Sequence, residues 1–167
     1  MLSEAPFLSE IERLSQELKG PVSVLAVCLS HSWGGLEQVA AADALEVGAL
    51  GIAVRVLCLE GSPIHNYLKD REEVELHPVG FEPRDFLDFQ MRAVLKKHFD
   101  AGVTLVHVHQ TSLLGSVVPW MWKSPQVSLI VTRHIMNTHN KRDIFHGAIY
   151  SRVDALLAMS QTLKRNI

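Results

Sequence analysis

Three features of this 167-residue sequence predict a doubly wound α/β domain, a mostly parallel, Rossmann-like sheet with helices on both faces. Short β-branched runs alternate with helical segments from Val22 onward. Val22–Leu29 is a continuous apolar run rather than apolar at every second position, as expected for a strand covered on both faces. The spacing between the runs leaves room for one crossover helix each, the rhythm of βαβ units. Right-handed crossovers then favour the doubly wound arrangement.

The elements follow in order. Residues 2–19 place Leu2, Phe7, Leu8, Ile11, Leu14 and Leu18 three and four apart, which predicts an amphipathic helix closed by Gly20-Pro21. Residues 1–20 thus form a helical extension on a single domain, 1–167. Val22–Leu29 is the first strand, Leu36–Gly48 an Ala-rich helix ending in glycine, and Ala53–Leu59 the second strand. Pro63–Lys69 reads as a short helix, Val74–Pro78 as a short strand, and Asp85–Phe99 as a helix with Phe86, Phe89, Val94 and Leu95 apolar. Val103–His109, Gln126–Thr132 and Ala155–Met159 are strands, and Ser112–Trp120 and Arg142–Ser151 helical. Ser160 opens a last helix, where serine is a preferred N-cap.

Apolar residues make up 47% of the chain and charged residues 20%, with a formal net charge of −2. That balance describes a soluble globular protein and gives no global electrostatic reason to expect nucleic acid. The two cysteines, Cys28 and Cys58, sit inside apolar runs and read as reduced core thiols. The N-terminus has no basic region followed by an apolar run, and no stretch approaches the roughly 20 apolar residues of a membrane span. A cytoplasmic location is the expectation.

In doubly wound folds ligands bind at the carboxyl ends of the strands, where strand order reverses. The loop after the first strand reads Ser30-His31-Ser32-Trp33-Gly34-Gly35-Leu36-Glu37. Paired glycines at a helix N-terminus let a ligand approach the backbone, and unpaired N–H groups there favour an anion. The same pair also fits a tight turn needing positive φ. The loop is neither GxGxxG nor a lysine-bearing P-loop, so it signals neither dinucleotide nor ATP. His107 and His109 share one strand face, the spacing of a metal pair, but no cysteine or nearby carboxylate joins them. A third ligand would have to be His134 or His31, and one packed histidine with one facing the cleft is the plainer expectation. No metal is assigned. Thr132-Arg133-His134 ends the fifth strand with a rigid donor fork and a switchable donor, suited to oxyanions.

Taken in order, GGLE at Gly34–Glu37, VHVHQTSLLGSVV after the fourth strand, TRH at 132–134 and RVDALLAMSQTLK at the end resemble the N-terminal domain of the retaining GT-B glycosyltransferases of family 4. The stretch from Thr132 to Ser160 is similar to bacterial transferases that build lipopolysaccharide or other envelope glycans. The resemblance implies a two-domain enzyme whose active site lies between the domains, and this chain is expected to lack the C-terminal, donor-binding half and to be inactive alone. It implies transfer from a nucleotide-sugar to a glycan or lipid-linked acceptor with retention, with no cofactor and no obligatory metal. His134 matches the family's reaction-centre histidine. Trp33, Gly34, Gly35, Arg133, His109, Thr111 and Ser160 are the expected substrate contacts.

Two alternatives stay open, a self-sufficient nucleotide- or phosphate-binding module and a GT-B sugar epimerase. Helix 85–99 carries Arg92, Lys96 and Lys97 among its apolar residues. Its plain reading is a sheet-covering helix with a solvated edge, and weak peripheral contact with the inner face of the cell membrane is the sharper one.

Overall fold

All six apolar runs become strands of one parallel sheet, ordered β3-β2-β1-β4-β5-β6. They are β1 (Ser23–Cys28), β2 (Ala53–Leu59), β3 (Glu75–Val79), β4 (Leu105–Val108), β5 (Ser128–Arg133) and β6 (Ala155–Ala158). The computed structural model describes residues 21–84, 86–133 and 144–158, together with Phe7, Ile11, Arg13 and Gln16. Five helices join the strands: α1 (Gly35–Ala49), α2 (Pro63–Leu68), α3 (Phe89–Asp100), α4 (Leu114–Met121) and α5 (Ile144–Tyr150), with a 3-10 turn over Thr111–Leu113 before α4. The four described residues near the N-terminus are helical, and Phe7 and Ile11 are buried.

Alternation along each strand splits the core in two. Val24, Ala26, Cys28, Val56 and Ile130 face α1, α2 and the N-terminal residues, where Ala40, Ala41 and Ala44 keep the helix close to the sheet. Leu25, Val27, Leu57, Val106 and Leu129 face the larger side chains of α3 and α4, among them Met91, Leu95, Trp120 and Met121. Fully burying a large apolar side chain stabilises by about 1.5–3 kcal/mol, so the second layer supplies the greater share.

One element departs from expectation. The helix expected over Asp85–Phe99 begins at Phe89, because Leu87 takes a positive φ of 51° and Asp88 caps the helix. The Asp88 carboxylate accepts hydrogen bonds from Gln90 N–H at 2.8 Å, Met91 N–H at 2.9 Å and Arg84 N–H at 2.7 Å. Burial pushes this carboxyl up, but those donors outweigh it and hold it below the usual range. The cap also sets the helix rotation. Met91 and Leu95 enter the core, whereas Phe89, expected inside, is 70% exposed.

Candidate functional site

Strand order fixes where a ligand can enter. From β1 the chain winds outward through β2 and β3, and from β4 it winds the other way through β5 and β6, so a crevice opens between the loops after β1 and β4. The two loops are tied together: Leu29 N–H donates to Gln110 Oε1 at 2.7 Å, and His109 N–H to the Val27 carbonyl at 3.3 Å. Trp33, Gly34 and Gly35 belong to one lip and Thr111, half-buried, to the other. Arg133, also half-buried, ends β5, the strand next to β4. His134 and Ser160 lie outside the described residues.

The glycine pair is not demanded by the backbone. Gly34, the N-cap of α1, has φ −119° and ψ −164°, and the glycines with positive φ are Gly51, Gly61 and Gly102. The turn explanation for Gly34-Gly35 therefore fails. A Cβ added at Gly35 would meet nothing within 4 Å, so the backbone there is open to an approaching group. The Gly34 N–H donates to the buried Glu37 carboxylate at 2.8 Å. An incoming phosphate would share this helix N-terminus with a carboxylate, and like charges oppose it. A neutral hydroxyl suits the site better than an anion does.

Trp33 packs against Tyr67 of α2, ring centroids 5.0 Å apart, and both are partly exposed. Tyr67 was not singled out in the sequence, since an aromatic in a short helix reads as core. Its neighbour Arg71 lies 5.6 Å over the same ring. His31, a possible third metal ligand by sequence, is instead exposed and pairs with Glu82 at 2.8 Å.

Below the lips lies a group that the sequence showed only in part. His107 and His109 are both buried, at 0% and 1% exposure, with ring centroids 3.9 Å apart. Neither faces the cleft. A carboxylate does join them: one ligand atom each from Asp43, His107 and His109 lie within 4.8 Å of one another. Asp43 comes from α1, where it replaces an apolar residue in the stripe Ala40, Ala44 and Val47. That polar residue on a buried helical face was the available signal. Burial, then the charge of Glu46, pushes its carboxyl up to about 7. The second ring nitrogen of His107, Nε2, is 2.7 Å from Thr132 Oγ1, and the Phe7 ring packs 3.8 Å away.

Two further features prove structural. Cys28 and Cys58 are free and buried, with thiols pushed up to about 12 and about 11, chiefly by burial, so neither is an activated nucleophile. Asp154, in the family-like RVDALLAMS stretch, accepts from Leu129 N–H at 2.7 Å and pairs with Arg152 at 2.9 Å, pinning β6 to β5. A hollow of about 310 Å³ lined by Arg92, Lys96, Trp120 and Lys123 lies between α3 and α4 and includes none of the crevice residues. The crevice remains the better site, because the strand ends converge there.

Comparison with known proteins now decides the family. The profile of Glycosyltransferase Family 4 matches residues 33–167, most of the chain, including Trp33, Gly34, Gly35 and Thr111 of the two lips. The chain belongs to glycosyltransferase family 4. A glycosyltransferase from Rickettsia africae superposes with a TM-score of 0.68 at 16% identity, over 88% of this chain and 39% of that one, which shows a shared fold. This family 4 domain thus spans well under half the length of that solved relative. O-ureido-L-serine synthase superposes with a TM-score of only 0.33 at 14% identity, over 96% of this chain and 64% of that one, too loose to carry an argument. No curated protein matches the sequence.

Proposed function

We propose that this family 4 domain is the acceptor-binding half of a two-domain glycosyltransferase. It would move a glycosyl group from a nucleoside-diphosphate sugar to a glycan or lipid-linked acceptor of the bacterial envelope, at the cytoplasmic side, with retention and without an obligatory metal. The observation that carries this reading is the open backbone at Gly35, inside the family-matched region and at the crevice. Glu37 beside it favours hydroxyl groups, so the glycine loop is assigned to the acceptor sugar, with Trp33 and Thr111 flanking it. His109 is left below the rim without a substrate contact. Arg133 is assigned to the oxyanion side, His134 to a hydrogen bond at the reacting sugar, and Ser160 to a substrate contact. The leaving diphosphate would be held mainly by basic groups and helix N-termini of the donor domain.

The test uses the two-domain enzyme. Gly35→Val is expected to abolish transfer while the protein stays folded, since its side chain fills the open approach. His134→Ala is expected to lower kcat by on the order of 10²–10³, the usual loss for one positioned donor. Wild-type turnover in Gly35→Val rules out the glycine loop as a ligand surface. Acceptor-independent isomerisation of the donor would favour the epimerase, and 1:1 nucleotide binding by this domain alone the self-sufficient module.

Exposed Phe86, Leu87, Phe89 and Trp122 beside Arg92, Lys96 and Lys123 support a second part of the reading, weak contact with an anionic bilayer. No helix among the described residues is long and apolar enough to cross a membrane. Each cation near an anionic leaflet contributes about 1 kcal/mol, so attachment would be weak and salt-sensitive. Co-sedimentation with anionic but not neutral vesicles, lost at high salt, is expected. Equal binding to both vesicle types, or to neither, removes this part.

A further inference from the structure

We propose that Asp43, His107 and His109 form a binding site for one divalent metal ion of the zinc class, which fastens helix α1 to strand β4 beneath the crevice. The proposal goes beyond the transfer reaction and gives the ion no part in it.

The argument starts from what can be buried. A carboxyl and two imidazoles lie together at 9%, 0% and 1% exposure, on a face otherwise built from apolar side chains and cysteine. A carboxylate buried there needs a proton or a counter-charge, and two imidazoles beside it offer lone pairs rather than charge when neutral. Two imidazolium rings 3.9 Å apart would repel each other. One dication facing both rings and the carboxylate supplies the charge and takes up the lone pairs together. Two nitrogens and one oxygen suit zinc and its first-row neighbours, whereas calcium and magnesium take oxygen.

The geometry needs only a small adjustment. Bonds of about 2.0–2.2 Å in a tetrahedral site put donor atoms about 3.3 Å apart. The three atoms here lie within 4.8 Å of one another, wider than that spacing, and binding would draw them together. The surroundings are also those of a ligating histidine. With Nε2 of His107 engaged by Thr132 Oγ1 at 2.7 Å, coordination runs through Nδ1, and the outer contact holds the ring in place. Phe7 closes the inner side against the His107 ring, and partly accessible Asp43 marks the entry side.

The untagged protein, stripped with a chelator, is titrated with Co²⁺ and then Zn²⁺. The expected result is visible d–d absorption of a low-coordinate Co²⁺ that saturates at one ion per chain and is abolished by Zn²⁺, with a melting temperature that rises with Zn²⁺ concentration. Asp43→Asn and His109→Gln should each weaken binding at least a hundredfold. Should either fail to fold by circular dichroism, Thr132→Val takes its place, with an expected weakening of about 10–100-fold from loss of the outer contact alone. Absence of saturable Co²⁺ absorption in the wild type overturns the site. Unchanged absorption in the folded variants does so equally, because the ion then binds elsewhere.

Discussion

Each face of the sheet carries a pair of histidines, and the neighbours of each pair set its character. On the α3 side, His98 of α3 lies edge-on to His77 of β3 at 4.5 Å. Burial, then the charges of His77, Arg55 and Lys97, push His98 down to about 4, with Glu75 opposing weakly. It is neutral at ordinary pH. Opposite α1, His107 and His109 meet a carboxylate, on a helix brought close by Ala40, Ala41 and Ala44. Large side chains hold α3 away from the strands, and small ones let α1 deliver a charged group to them. The face that supports the glycine loop is therefore the polar and closely spaced one.

The seating of α1 against the turn before β3 can be broken at Gly48. A Cβ there would run into the backbone carbonyl of Glu73. Helix propensity favours alanine over glycine by about 1 kcal/mol. Overpacking against backbone costs about 1–3 kcal/mol or more and wins. Gly48→Ala should therefore lower the unfolding free energy by about 1–3 kcal/mol in urea titration. A stabilised variant would show that α1 is not seated so tightly. A smaller, pH-dependent effect sharpens the other face. Unfolded, His98 takes up a proton near pH 6.5, but folded it does so only near 4. Its contribution is fully present above pH 6.5 and is lost as pH falls toward 4. His98→Gln should flatten that limb, by on the order of 2 kcal/mol across the window. Coincident acid limbs for the two proteins would show that His98 is not the buried neutral group described.

Strands were legible because burial on both faces leaves largely apolar runs such as Ser23–Cys28, too short and too closely bounded by turn residues for a helix. The start of α3 was not, since Phe86 and Phe89 fit helical periodicity as well as Met91 does. A capping aspartate and one positive-φ leucine decided it. At the site, Gly34-Gly35 could be placed from sequence because position after a strand is local information. Asp43 could not, since it lies 64 residues before His107, and only the fold brings the two together. Tyr67 was hidden for the same reason, its role depending on where α2 lies relative to Trp33.

The Arg152–Asp154 clip leaves the two rims of the sheet unlike each other. At one rim β3 carries Glu75, His77 and Pro78, and a charge with a residue lacking an amide discourages another chain from pairing there. At the other, β6 reads Ala-Leu-Leu-Ala, uncharged and held in register by Leu129 N–H, Asp154 and Arg152. Among the described residues it has no strand beyond it. Further strand pairing is thus disfavoured past β3 and chemically permitted past β6, so the solubility of the domain depends on what covers one four-residue edge.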